Sequence, residues 1–302
     1  MRSAGTKGES KLFARTLRKR PALALHVSQE SQSVWMPQPR QRPKLGQNFL
    51  VSSTAQTAIV DALGDLSHRT VVEIGPGRGA ITALLAQRAQ HLIAIELDRE
   101  LAPRLREQFA DRPSVEILAQ DVLATDLAAL RNPGSDKLLV VGNLPYFITT
   151  EILLHLFRFA GAIERAVLMM QREVAARIAA PPGTSDYGVL SATTQMYARV
   201  ENLLTLPPAA FSPPPQVHST VVRLTMAPRF DELQVSPDPF LAFVRICFAQ
   251  KRKMLAKNLR NAGHDPAAIA AAFATCGISP QVRAEELLLP AMACLFRGLT
   301  KR

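Results

Sequence analysis

The stretch Gly142-Asn143-Leu144-Pro145-Tyr146-Phe147 places a carboxamide, a proline and two aromatic rings between the apolar run 138–141 and a helical pattern over 148–159. The carboxyl end of a strand is where open α/β sheets bind ligands. Pro145 has no N–H and biases Leu144 toward an extended backbone, so the Leu144 carbonyl can project free of a helix ladder beside the Asn143 carboxamide oxygen. Two acceptors facing one way suit the exocyclic amino group of a nucleobase, which offers two N–H donors, and Tyr146 supplies an aromatic face for the base. The same residues also suit an ordinary turn in which the proline breaks the strand and Thr149 or Thr150 caps the helix. By itself the loop does not choose between the two.

A second chemically loaded stretch, Glu73-Ile74-Gly75-Pro76-Gly77-Arg78-Gly79-Ala80, follows the apolar Thr70-Val71-Val72. A helical segment to about Gln90 and the run from His91 to Asp98 then complete a βαβ unit, with Glu96 at the end of its second strand. This arrangement implies a nucleoside-bearing ligand: Gly75 and Gly77 let the backbone come close, and the Glu96 carboxylate can accept from both ribose hydroxyls. Gly75-x-Gly77-x-x-Ala80 also satisfies the dinucleotide fingerprint, which keeps a nicotinamide or flavin enzyme open. Glu73 weighs against a pyrophosphate, which it would repel, and suits a cationic ligand.

Asp121 closes a third predicted strand over 114–122, where it can accept from an adenine amino group or cap the next turn. Farther on, Phe211 opens Phe211-Ser212-Pro213-Pro214-Pro215-Gln216-Val217, whose prolines stiffen the loop. Phe211 thus suits either a ring facing Tyr146 across a flipped base or a hydrophobic plug under the turn.

The elements that must position these residues alternate strand and helix, which predicts an α/β fold with a mostly parallel, doubly wound, Rossmann-like sheet. Past Met226, the segment 227–239 has the proline and charge content of a linker, and the remainder reads as helices. The expected organisation is a basic disordered extension over 1–43, a ligand-binding domain over 44–226 and a smaller all-helical domain over 227–302. Between Phe240 and His264 stand Arg245, Lys251, Arg252, Lys253, Lys257 and Arg260 without an Asp or Glu. A helix of one sign there would grip phosphates.

The 302 residues carry a formal net charge of +11, which points to a polyanionic partner, nucleic acid before an anionic membrane surface. Residues 1–35 hold seven basic and two acidic residues, so +6 remains without them. That leader suits a transit peptide, an RNA-clinging tail or a start codon placed too early, with Met36 as the alternative start. No apolar run is long enough to span a membrane. Three cysteines without a CxxC pair and six histidines without an HxxxH spacing predict a reducing compartment and no metal. No coiled-coil seam is evident, so a monomer is expected.

Taken together, these stretches resemble the ribosomal RNA adenine dimethyltransferase family, in its bacterial small-subunit branch. The resemblance runs from about Lys44 to the C-terminus. It rests on Lys44-Leu45-Gly46-Gln47-Asn48-Phe49-Leu50, the Glu73 to Gly79 loop, Glu96-Leu97-Asp98, Asp121, Asn143-Leu144-Pro145-Tyr146, Gln171-Arg172-Glu173-Val174-Ala175 and the Phe211 to Val217 loop. It implies S-adenosylmethionine as cofactor, with Asn48 and Leu50 near the methionine end, Gly75 beneath it, Glu96 at the ribose, Asp121 at the adenine, and Asn143 between cofactor and target. The implied reaction converts two adjacent adenines in the 3′-terminal hairpin of small-subunit rRNA to N6,N6-dimethyladenine in an assembling cytoplasmic subunit. Sister enzymes act on a large-subunit adenine; Leu144 within the Asn143 motif and Gln250-Lys251-Arg252-Lys253-Met254-Leu255 favour the small-subunit branch. A non-catalytic assembly factor is the remaining alternative.

Overall fold

Runs of β-branched and aliphatic residues alternate with amphipathic stretches along most of the chain, and this alternation builds one seven-stranded sheet flanked by helices. The computed structural model describes residues 48–131, 134–251 and 253–300. The extension expected over 1–43 and the cation Arg252 lie outside the described residues.

A short strand β1 (Phe49–Leu50) and helix α1 (Ser53–Asp61) lead into β2 (Thr70–Ile74), α2 (Ala80–Arg88), β3 (His91–Glu96), α3 (Leu101–Gln108) and β4 (Val115–Ala119). The chain continues through β5 (Leu138–Asn143), α4 (Thr149–Arg158), β6 (Ile163–Gln171), α5 (Arg172–Ala179), α6 (Val189–Tyr197), β7 (Ala198–Leu206), β8 (Phe211–Ser212) and β9 (Ser219–Met226). Four helices follow: α7 (Pro237–Cys247), α8 (Leu255–Asn261), α9 (Pro266–Thr275) and α10 (Leu289–Thr300).

The strand order is β4-β3-β2-β5-β6-β9-β7. From β4 to β6 all neighbours are parallel, while β9 runs antiparallel to both β6 and β7. Val71, Val72, Val140 and Val141 in the central strands are fully buried, as a parallel sheet covered on both faces requires. From β2 the chain winds outward to β3 and β4, then returns to place β5 on the other side of β2. A crevice opens at such a reversal, outside the carboxyl ends of the strands. The glycine loop follows β2 and the Asn143 loop follows β5, so both reach that crevice.

Three sequence expectations need correction. The segment 227–239 is not a loose linker: Ala227 N and Arg229 N donate to the carbonyls of Tyr197 and Met196, and the Phe230 ring meets Tyr197 edge-on, centroids 4.9 Å apart. Phe230, Leu233 and Val235 are buried in the cluster that also holds Met196, Phe240 and Phe296. Their spacing among prolines and charges has no period, so the sequence pattern carries no trace of this packing. The cations between Arg245 and Arg260 do not share one helix, since α7 stops at Cys247 and α8 starts at Leu255. Asn258, almost fully buried, donates its Nδ2 to the Cys247 carbonyl at 2.6 Å and folds α8 back onto the end of α7. Finally, Cys276 and Cys294 are joined as a disulfide, and Cys247 is the free, buried thiol. Helix packing brings these two together across 18 positions, a pairing no local cysteine motif announces.

Candidate active site

The crevice holds a cavity of about 590 Å3 lined from β1 and its flanks, the glycine loop, the ends of β3 and β4, and the loop after β5. Its floor is the glycine bend. Gly75 and Gly77 have φ of +66° and +60°, a region where side chains are strained. At Gly77 a Cβ would also stand 3.0 Å from the Phe49 ring, so a side chain there would crowd that ring as well as strain the backbone. The Phe49 ring in turn carries the Arg78 guanidinium 4.3 Å from its centroid.

Glu96 closes the bend. One carboxylate oxygen accepts from Gly77 N at 3.0 Å and the other from Asp98 N at 2.9 Å. Burial pushes its carboxyl above the usual range, and these two backbone donors oppose the shift. Glu73 lies at the end of β2 with its side chain only 2% exposed, and its Oε2 has no hydrogen-bond partner among the described residues. Burial raises its carboxyl to about 7, with a smaller upward push from the charge of Glu96 against a lowering by the Thr82 side chain. A buried carboxylate with an unmatched oxygen at the cavity wall favours a cationic ligand.

Across the cavity, Asn143 ends β5 and donates its Nδ2 to the Asn48 carbonyl at 2.9 Å. The carboxamide is therefore held with its nitrogen toward β1, and Oδ1 remains as the acceptor. Leu144 is anchored by its N–H to the Met169 carbonyl and by its buried side chain, and its own carbonyl receives no hydrogen bond among the described residues. The Tyr146 hydroxyl lies 2.7 Å from Ser219 Oγ at the start of β9. Thr149 does not cap α4 as the sequence suggests; its hydroxyl donates back to the Pro145 carbonyl at 3.1 Å and stiffens the same turn. His155 is a tie of another kind, its Nε2 lying 3.0 Å from the Thr125 carbonyl and joining α4 to the loop beyond Asp121.

Asn48, Leu50, Gly75, Gly77, Glu96, Asp121, Asn143, Leu144, Pro145 and Tyr146 all line this one cavity, although they span nearly a hundred positions of sequence. Leu50 lines the cavity with its side chain largely buried, and its carbonyl is already engaged, accepting from Gln56 Nε2 at 2.9 Å. Asp121 also caps, accepting from Leu123 N at 2.8 Å, so its two sequence readings coexist. Phe211 is the exception. It is 4% exposed, pairs with Leu50 across β1 and β8, and packs among Ile59, Leu206 and Val221 away from the cavity lining. The facing ring expected of it is corrected to the hydrophobic plug, because the strand pairing turns its side chain into the core. Sequence reasoning passed over Phe147 and Val51, whose signal is exposure at the cavity mouth, a property that becomes visible only in three dimensions.

Away from the crevice, Arg245, Lys251, Lys253, Lys257 and Arg260 are all exposed on α7, α8 and the turn between them. The Lys251 ammonium donates to the Ser185 carbonyl, which ties that turn to the loop before α6.

A family model described as ribosomal RNA adenine dimethylase matches residues 38–300. The chain belongs to that family. Among relatives within it, ribosomal RNA small subunit methyltransferase A of Acidobacterium capsulatum is 65% identical over 263 residues, covering 87% of this chain and 93% of that protein. The protein of the same name from Koribacter versatilis is 49% identical over 274 residues, covering 87% and 96%. Among solved structures, the 23S rRNA methyltransferase ErmE superposes with a TM-score of 0.63 at 25% identity, over 84% of this chain and all of that one. A dimethyladenosine transferase from Plasmodium falciparum shares the fold, with a TM-score of 0.68 at 24% identity over 82% and 95% of the two chains. Membership in a dimethylase family removes the dinucleotide oxidoreductase that the glycine spacing alone left open.

Proposed function

We propose that this chain dimethylates the N6 amino groups of two adjacent adenines in the 3′-terminal hairpin of small-subunit rRNA, using S-adenosylmethionine, while the subunit assembles in the cytoplasm. The observation that carries the reading is the Asn143 carboxamide, fixed by Asn48 so that its oxygen and the Leu144 carbonyl remain as acceptors beside a cavity with a glycine floor. The residues present suit the cofactor. The close approach allowed at Gly75 and Gly77 suits a ligand pressed to the backbone, Glu96 stands where ribose hydroxyls would donate, and Asp121 suits the adenine amine. Asn48 and Leu50 would lie near the methionine end, with the unmatched carboxylate of Glu73 lining the same cavity. When bound, S-adenosylmethionine supplies an electrophilic methyl group on a cationic sulfur.

Adenine N6 is a weak nucleophile because its lone pair is shared with the ring. Asn143 Oδ1 and the Leu144 carbonyl, by accepting its two N–H bonds, favour a pyramidal nitrogen with its lone pair directed at the donor. The same oxygens stabilise the positive charge that grows on nitrogen, as an oxyanion hole does with the signs reversed. Tyr146 holds the ring in line, so alignment lowers the barrier further. No strong base is needed, because the proton leaves after attack. For the second methyl group one N–H remains, and Tyr146 and one acceptor position the base.

Residues 227–302, with Arg245, Lys251, Arg252, Lys253 and Lys257, act in this reading as the part that grips rRNA phosphates, while 44–226 carry the chemistry. The working unit is a monomer. Identity of 65% to a small subunit methyltransferase A against 25% to a 23S rRNA enzyme favours the small subunit as substrate. The deciding experiment offers labelled S-adenosylmethionine with small and large subunits lacking the modification. Label is expected only in small-subunit rRNA, as N6,N6-dimethyladenine; label confined to the large subunit, or none in either, overturns the reading.

A further inference from the structure

The Phe147 ring is 63% exposed at the mouth of the cavity. One exposed apolar side chain is ordinary on a protein surface, but here three observations coincide. The turn that carries the ring is fixed on both sides: Leu144 is buried, the Tyr146 hydroxyl lies 2.7 Å from Ser219, and the Pro145 carbonyl accepts from Ile148 N at 3.2 Å and from the Thr149 hydroxyl. The backbone that presents the ring is thus tied down on both sides. Val51, 55% exposed, lines the same cavity, so its lining holds a second solvent-facing apolar side chain. Lastly, the other aromatic rings lining the cavity are engaged: Phe49 lies under Arg78, and Tyr146 belongs beside the acceptor pair. Phe211, the remaining candidate for an outer ring, is in the core.

We propose that Phe147 stacks on the nucleobase adjacent to the one being methylated and thereby selects a purine at that position. The inference rests on the function proposed above. Extruding an adenine from its strand leaves its neighbour with an uncovered face, and an ordered aromatic ring at the pocket mouth can cover it. A purine offers the larger stacking surface, which fits a substrate in which one adenine follows another.

Because the side chain is exposed, its replacement should leave folding intact, and the full-length chain can be tested directly on small subunits lacking the modification. Phe147→Ala is expected to raise KM for subunits about tenfold, the scale of one base–aromatic stack. Its kcat should stay within threefold of wild type, and its affinity for S-adenosylmethionine, measured by calorimetry, should not change. Phe147→Trp and Phe147→Tyr should restore KM. An unchanged KM in Phe147→Ala overturns the proposal; so does a loss confined to kcat, which would put the ring on the target base, or a weakened cofactor affinity. If the wild-type chain itself transfers no methyl group to small subunits, the function reading fails and this one with it, whereas an active wild type with an indifferent Phe147→Ala removes this one alone.

Discussion

The side-chain amide of Asn143 donates to the main-chain carbonyl of Asn48, which lies 95 positions earlier and 2.9 Å away. The bond decides which end of the carboxamide is left for a substrate. Asn143→Ala removes both the acceptor and the tie, and the expected loss in kcat is at least 100-fold, the scale of deleting one preorganised electrostatic partner. Asn143→Asp should fare no better, since a carboxylate oxygen would face the Asn48 carbonyl. Filter binding should show rRNA affinity within threefold of wild type for both variants, because neither touches the cationic surface.

Tyr146 and Ser219 form a second long-range pair, with oxygen atoms 2.7 Å apart. Tyr146→Phe and Ser219→Ala each remove this one hydrogen bond, worth about 1 kcal/mol, so each should lower kcat/KM roughly fivefold. Groups that act through one bond are not additive. The double variant is therefore expected to match the weaker single variant, and a multiplicative loss near 25-fold would show that the two hydroxyls act separately.

Glu73 predicts a pH dependence. With its carboxyl at about 7, the ligand-free protein carries a proton there in mildly acid solution, and a cationic cofactor would favour its release. Titration calorimetry should show S-adenosylmethionine affinity falling as pH drops from 8 to 6, while Glu73→Gln binds weakly and without that slope. Stability runs the other way. The folded-state value lies above the ordinary 4.5, so the folded chain holds the proton more tightly than the unfolded chain. The stabilisation is complete below 4.5 and is lost as pH rises through about 7, on the order of 3 kcal/mol. The ligand-free melting temperature should therefore decline across that window, and Glu73→Gln should flatten the decline.

For the exposed cations on α7 and α8, salt is the discriminating variable. Replacing Arg245, Lys253 and Lys257 together by alanine should weaken rRNA binding and reduce the slope of log affinity against log salt by roughly 2. An unaltered slope would mean that these side chains face solvent in the complex.

Much of the crevice is legible in the residues themselves, for a local physical reason. Glycines at positive φ, a carboxylate at a strand end and a proline after an asparagine each constrain the backbone within a few positions, so Gly75, Gly77, Glu96 and Asn143 can be found without knowing their neighbours. What escapes is decided by distant partners. The Phe211 loop reads equally as a stacking ring or a plug until β8 is seen to pair with β1. Cys276 and Cys294 have no motif because α9 and α10 bring them together, and the basic run looks like one helix because the break between Cys247 and Leu255 is held by Asn258 from farther along the chain. Phe147 is the clearest case: its letter in the sequence is that of a core residue, and only the fold leaves it in solvent.

The sheet order sets a timetable for the site. Strand β9 is inserted between β6 and β7, and Ser219 at its beginning is synthesised 73 positions after Tyr146. At ordinary elongation speeds this is roughly 4–15 s of translation. During that interval the glycine bend and Glu96 can already assemble on the five parallel strands, while β7 has no partner and the tyrosine no anchor. A nascent chain would thus acquire its small-molecule pocket before the ring of Tyr146 is anchored.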